Sequence, residues 1–359
     1  MISPRLTRPL TSLRSGDRPS VGGKAAGLGE LAAAGLPVPA GFAVTTEAFS
    51  HALEALDPGG AIPRQIGQLP AADASAIAQA CTQVRDTILG SPLPAGLLNE
   101  ITARYQALPG PAAAPDRTAV PVAVRSSATS EDSGSASFAG LQDTYLWVTG
   151  AEAVTDHVRR CWASLYSVES VTYRRHQGVP EEGLAMGVVV QVMVDPRCAG
   201  VMFTRSPVTG DTSVIVVEAS WGLGSAVVSG EVTPDSFVVS KVTGEIVKRE
   251  VATKLRHHQR DPSAPGVCLR DVPPPLRDVP CLDDDEIRGL ADLGRRVSEH
   301  YGTPQDIEWA IAHGADGEQI VLLQSRPETV WSSRVTTPVA KPAARAFDHV
   351  LARLSEASS

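Results

Sequence analysis

No stretch of this 359-residue chain stays apolar for long enough to cross a bilayer. Its start, MISPRLTRPLTSLRSGDRP, carries arginines but no apolar core of signal-peptide length, so a cytoplasmic protein without membrane contact is expected. A basic surplus is also missing: the formal net charge is −8, which argues against a nucleic-acid binder. The five cysteines (Cys81, Cys161, Cys198, Cys268 and Cys281) are odd in number and never spaced as CxxC. That pattern suggests neither a disulfide framework nor a zinc site. The eight histidines supply no pair at finger or helical metal spacing. GxSxG is absent, which removes support for a serine hydrolase. Gly22-Gly23-Lys24 is not a Walker A loop, because no Ser or Thr follows the lysine and the glycine spacing is wrong. No internal repeat is visible.

What is present is a globular composition, 43% hydrophobic and 20% charged, in a chain long enough for two packed lobes. Residues 20–36 read as a glycine-rich turn running into a helix that stops at Gly35 and Pro37. Residues 58–118 are rich in Ala, Pro and Gly, with helical stretches near 72–89 and 96–107. The composition changes at 120. Val120 to Val124 reads as a short buried strand ending at Arg125, and the Ser/Gly-rich segment from Arg125 to Gly140 as a mobile loop. A helix is expected over 151–176. Residues 187–194 and 200–204 read as the two strands of a hairpin, turned at Asp195-Pro196-Arg197. Strands are expected at 214–217 and 236–240, a proline-rich surface connection at 260–282, and a capped amphipathic helix over 283–300. A final hairpin pairs 306–311 with 319–326. A linker and one helix, 344–354, complete the chain.

The last hairpin carries the strongest local signal. Side chains share a face at every second strand position, so Asp306 lies with Glu308 and Gln324 with Arg326. Ile307, Trp309, Leu322 and Leu323 between them read as core. A carboxylate, an amide oxygen and a guanidinium at one end of an apolar hairpin suit a magnesium–phosphate site. An ordinary surface ion pair between Glu308 and Arg326 fits the same residues. Lys24, after two glycines at the mouth of a helix, suits an anion site or a solvent-facing turn. Arg125 either protrudes into a cleft covered by the following loop or is a plain surface arginine. Gln191, inside the apolar run Val188 to Val194, needs a partner, either an adenine edge or a backbone carbonyl. His257-His258, beside Lys254, Arg256 and Arg260, reads as a basic surface loop.

Taken in order, VGGKAAGLGEL, GLPVPAGFAVTTEAF, VAVRSSATSEDSGSASFAGLQDTYLWV, VVVQVMV, GVMFTRSPVTGD, VVEASWGLGSAVVSGEVTPDSFVV, DIEWAI and QSRPETVW form one specific pattern. Over residues 15–333 it resembles the nucleotide-binding part of the phosphoenolpyruvate synthase, pyruvate phosphate dikinase and rifampin phosphotransferase family. The resemblance implies an α+β, ATP-grasp fold of two lobes with ATP bound between them. The lobes would be residues 1–190 and 191–333, with 334–359 as linker and terminal helix.

The resemblance also implies site residues. Lys24, Arg125, Gly140, Thr144 and Gln191 fall on positions that contact ATP, and Val194 would offer backbone groups to the adenine. Glu308 and Gln324 fall on magnesium-holding positions and Arg326 on a phosphate-binding one. Lys24, Arg125 and Arg326 would neutralise phosphate charge during transfer. Family members continue into a swivelling domain whose histidine accepts phosphate, and into a separate acceptor domain. Neither is matched here. The implied function is therefore an ATP-dependent phosphotransferase unit of dikinase type, whose histidine sits on a partner protein or on a missing domain, with an unknown small-molecule acceptor. A stand-alone kinase or ligase and a non-catalytic nucleotide-binding subunit are the alternatives.

Overall fold

In the computed structural model, the described residues are 5–70, 73–110, 120–129, 132–133, 136–137, 143–264, 266–314 and 317–332. Contacts group the chain into two compact units, 1–328 and 329–359. Only 329–332 of the second unit are among the described residues, so the expected helix at 344–354 lies outside them.

The first unit opens with β1 (Thr7–Pro9), helix α1 (Arg18–Ala33) and β2 (Gly41–Val44). Four helices follow: α2 (Thr46–Leu56), α3 (Ala61–Gln68), α4 (Ala74–Gly90) and α5 (Ala95–Gln106). Next come β3 (Val122–Ala128), a two-stranded turn of β4 (Asp132–Ser133) and β5 (Ala136–Ser137), and β6 (Thr144–Val148). Helices α6 (Ala151–Ser164) and α7 (Val168–His176) lead to β7 (Met186–Val192). An antiparallel sheet of order β1-β2-β7-β3-β6 results. One face is covered by α2 to α7, whose Phe49, Ile66, Val84, Ile101, Trp162 and Val171 join Val122, Val124, Val188 and Val190 in the largest core.

The remaining strands are β8 (Pro196–Phe203), β9 (Val214–Trp221), β10 (Asp235–Ser240), β11 (Ile246–Glu250), β12 (Arg256–Arg260), β13 (Val267–Asp271), β14 (Gln305–Gly314) and β15 (Gly317–Pro327). A single turn of helix, α8 (Ser225–Val228), follows β9, and α9 (Asp284–Tyr301) precedes β14. Six of the strands make a second antiparallel sheet, β11-β10-β9-β8-β14-β15, while β12 and β13 pair separately. The fold of α9 follows from its sequence. Asp283 caps it, Glu286 closes the capping box, and Ile287, Leu290, Ala291 and Val297 face the second core. Leu31 and Leu36, from α1 and just beyond it, join that same core.

Several expectations need correcting. β7 and β8 are not a hairpin: β7 belongs to the first sheet and β8 to the second, and the chain crosses between them at Met193 to Asp195. Two apolar runs around a turn look alike from sequence whether the strands pair or part. Arg125 does not end β3, which continues through Ser126, Ser127 and Ala128 paired with Val188, Gly187 and Met186. The helix expected over 151–176 is two, because Ser167 caps α7 by accepting a hydrogen bond from the Ser170 N–H. The surface connection at 260–282 contains part of the β12–β13 pair, and His257-His258 lies on a strand rather than in a loop. Most of the segment from 130 to 142, where a mobile covering loop is expected, lies outside the described residues.

Candidate active site

Helix α1 is broken at Gly22, whose φ of +80° only glycine adopts at little cost. A Cβ on Gly22 would stand 1.9 Å from the Ser127 carbonyl oxygen, and one on Gly187 would stand 2.3 Å from the Val21 carbonyl oxygen. These two contacts let the start of the helix lie directly on β3 and β7. The Ala25 N–H then donates to Ser127 Oγ at 3.1 Å, which fixes Lys24 next to the sheet. Arg125 on β3 is opposite Thr144 on β6. Gln191 on β7 is buried, and its Nε2 donates to the Pro39 carbonyl at 3.3 Å. Of the two partners open to it from sequence, a backbone carbonyl is in place.

The second sheet supplies the facing wall. Antiparallel pairing sets Asp306 opposite Arg326 and Glu308 opposite Gln324. A bulge after Glu308 leaves Leu323 without a cross-strand partner. Leu322 is fully buried, whereas Leu323 lines a cavity instead of filling the core.

Arg125 joins the two walls. Its guanidinium donates to the Leu323 carbonyl at 2.9 Å, to Glu308 Oε2 at 3.0 Å and to Gln324 Oε1 at 2.6 Å. The last two contacts are made by one nitrogen, so a positive group sits between two hard oxygen donors. Arg125 Nε is buried and has no hydrogen-bond partner among the described residues. Glu308 therefore does not form the surface pair with Arg326 that its spacing allows. Arg326 pairs with Asp306 at 3.3 Å and is itself half exposed.

Between the walls lies a cavity of about 570 Å³, within the usual range for a small-molecule site. Lys24, Arg125, Thr144, Gln191, Val194, Glu308, Gln324 and Arg326 all line it. Gly140 lies outside the described residues. A wider groove of about 1020 Å³ runs between α9 and the β10–β11 turn, and it contains none of these side chains.

The comparisons bear on what such a cavity holds. Residues 18–346 match the family model described as the pyruvate phosphate dikinase AMP/ATP-binding domain. The chain belongs to that family. It is 40% identical over 357 residues to a probable phosphoenolpyruvate synthase of Staphylothermus marinus, covering 94% of this chain and 43% of the relative. It is 42% identical over 308 residues to a probable phosphoenolpyruvate synthase of Methanothermobacter thermautotrophicus, covering 86% and 44%. A rifampicin phosphotransferase of a Streptomyces species is 42% identical over 331 residues, covering 91% and 36%. The chain thus spans less than half the length of these relatives. Membership sets it among the ATP-binding units of phosphotransfer enzymes, and the two-sheet α+β architecture is the ATP-grasp type of this family. Among the described residues no helix is long and apolar enough to cross a membrane.

Within this family member, one carboxyl on the expected face was given no role by sequence reasoning. Burial pushes the Asp306 carboxyl up to about 6, against the opposing pull of Arg326, and the carboxylate of Glu328 pushes the same way as burial. The signal was its position two residues before Glu308, but burial cannot be read from that spacing. A carboxyl that holds its proton more tightly when folded loses stability as pH rises from its unfolded range near 4 through 6. Asp306→Asn is therefore expected to gain on the order of 1–2 kcal/mol over wild type at pH 7.5 and little at pH 4. Urea unfolding of metal-free protein at both values would check this, and equal gains at both would refute the assignment.

Proposed function

We propose that the chain is the ATP-binding and phosphate-activating unit of a dikinase-type phosphotransferase, with residues 1–190 and 191–333 as the two lobes around the nucleotide. What carries this reading is the convergence of Lys24 from α1, Arg125 from the first sheet and the Glu308/Gln324/Arg326 group from the second on one cavity.

The donor set fits a divalent cation shared with phosphates. Glu308 and Gln324 offer one carboxylate and one amide oxygen, and the Arg125 nitrogen between them stands where a cation would be favoured. Magnesium, held by Glu308 and Gln324, would neutralise charge on the non-bridging phosphate oxygens. Arg125, placed beside the Glu308 and Gln324 oxygens, would neutralise charge on the phosphates. Lys24 supplies a compact point charge beside the helix break, and Arg326 offers a planar fork to phosphate oxygens. Val194 presents backbone groups to the adenine, with Gln191, Thr144 and Gly140 beside the nucleotide. In this scheme positioning and charge neutralisation supply the catalysis. ATP ends as AMP: the β-phosphoryl group would pass to a histidine on a partner chain or on a further domain, and the γ-phosphoryl group would go to water and leave as inorganic phosphate. The acceptor beyond that histidine is a small molecule.

The test is incubation with magnesium and ATP, with products identified by phosphorus NMR, in the presence and absence of candidate histidine-bearing partners. AMP formed only with such a partner is the expected result. ADP together with a phosphorylated metabolite would replace this reading with a stand-alone kinase, and tight binding without turnover would replace it with a nucleotide-binding subunit. Arg326→Ala is expected to lose about 2–4 kcal/mol of transition-state stabilisation, roughly 30- to 1000-fold in rate. A rate within twofold of wild type would remove Arg326 from the phosphate contact.

A further inference from the structure

On the second-sheet side of the cavity, Ser225 lines the wall immediately after the turn Gly222-Leu223-Gly224. Its hydroxyl lies 2.8 Å from Nδ1 of His258, and Nε2 of the same ring lies 3.3 Å from a carboxylate oxygen of Glu231. Glu231 is held in turn by the Ser229 hydroxyl, which donates to it at 2.8 Å. Serine, imidazole and carboxylate form a chain of contacts that ends at the cavity surface.

The placement is built by the backbone. The Leu223 N–H donates to the His258 carbonyl at 2.9 Å, tying the turn to β12. Gly222 has φ of +72°, and a Cβ there would stand 2.4 Å from the same carbonyl oxygen. The ring of His258 is 13% exposed, so it is largely shielded from competing water.

The chemistry of the three groups fixes the direction of the hydrogen bonds. An ionised carboxylate only accepts, so Glu231 requires the imidazole proton on Nε2. When the ring is neutral, Nδ1 is then an acceptor and the Ser225 hydroxyl donates to it. With its proton committed, Ser225 Oγ presents only lone pairs to the cavity. Phosphate oxygens are acceptors too and gain nothing there. The donors on ATP are the adenine amino group and the two ribose hydroxyls, and in the nucleotide reading above the base is met by the backbone of Val194.

We propose that Ser225, held as a hydrogen-bond acceptor by the positioning residues His258 and Glu231, receives one ribose hydroxyl and discriminates against the nucleotide that lacks it. This deepens the nucleotide reading above and rests on it.

The experiment measures the affinities of the intact chain for magnesium complexes of ATP, 2′-deoxy-ATP and 3′-deoxy-ATP by titration calorimetry at pH 8. Wild type is expected to prefer ATP over one of the two deoxy analogues by about tenfold, the value of one buried hydrogen bond with its acceptor left unpaired. The arm that weakens identifies the hydroxyl. Ser225→Ala is expected to bring that ratio to about 1, and Ser225→Thr to retain most of it. His258→Ala is expected to lower the ratio and His258→Asn, whose side-chain oxygen can accept from Ser225, to restore it. Should Ser225→Ala unfold, the His258 pair gives the same answer. A wild-type ratio near 1, or a full ratio in Ser225→Ala or His258→Ala, would overturn the proposal. Absence of any ATP binding by wild type would instead overturn the nucleotide reading of the cavity.

Discussion

Glu308→Ala is expected to abolish magnesium-dependent ATP turnover, with a fall of about 10²–10³-fold or more. Magnesium is commonly held by one or two carboxylates together with substrate phosphates, and Glu308 is the charged member of the Glu308/Gln324 pair. Its loss leaves a neutral amide as the remaining oxygen donor of that pair. The substitution also frees one contact of Arg125, which keeps its bonds to the Leu323 carbonyl and Gln324. Glu308→Gln separates the two effects. It preserves an oxygen acceptor for Arg125 while removing the charge, and it is expected to stay folded and inactive. Turnover by phosphorus NMR beside thermal unfolding checks both variants. Near-wild-type turnover in Glu308→Ala would take Glu308 out of the metal role.

The largest stability effect is expected far from the reacting phosphates. Lys254 and Asp235 form a salt bridge of 2.6 Å in which neither side chain is exposed. Asp235 also accepts the N–H groups of Ala252 and Cys281, at 2.9 and 3.0 Å, and Lys254 donates to the Ala252 carbonyl. One carboxylate thus gathers β10, the approach to β12 and the segment before α9. Lys254→Ala would leave that carboxylate buried without its counter-charge, at a cost of about 3–5 kcal/mol. Urea unfolding is the measurement, and a loss below about 1 kcal/mol would show that the interior tolerates the bare carboxylate. The double substitution Lys254→Met with Asp235→Asn should recover much of the loss, because it removes both charges together and keeps an oxygen acceptor at 235 for the backbone N–H groups.

How legible the molecule was depended on the range of the interaction. Alternation put Asp306 with Glu308 and Gln324 with Arg326 on the faces of the last hairpin, whereas the bulge after Glu308, which takes Leu323 out of the core, could not be read from it. Asp283, Glu286 and the apolar stripe behind them announced α9 in the same way. Lys24 stood out as a charge at the mouth of a helix and Arg125 as one at the end of a buried strand. Their meeting with Glu308 could not be read, since Arg125 and Glu308 are 183 residues apart in sequence. That convergence came from the resemblance.

What failed was pairing and strand detection where apolar alternation is missing. A run, a turn and a second run at 187–204 gave a hairpin pattern although the strands separate into different sheets. Arg-His-His-Gln-Arg at 256–260 has no apolar face, so it read as loop, although its His258 meets Ser225 across 33 positions. Ser126 and Ser127 looked like the beginning of a flexible segment. They instead continue β3, and Gly22, lacking a Cβ, lies directly against Ser127.

One feature of the architecture limits how the two halves can behave. The helix α1 gives Val21, Ala25, Ala26 and Leu28 to a cluster with Ala43 and Val189 of the first sheet, and Leu31 to the core beneath the second. The Tyr301 hydroxyl at the end of α9 donates to the Gly27 carbonyl midway along it. Helix α1 is therefore a shared wall of both interiors, and neither half owns a complete set of apolar partners without it. Cleavage of the chain between β7 and β8 would not release two autonomous domains.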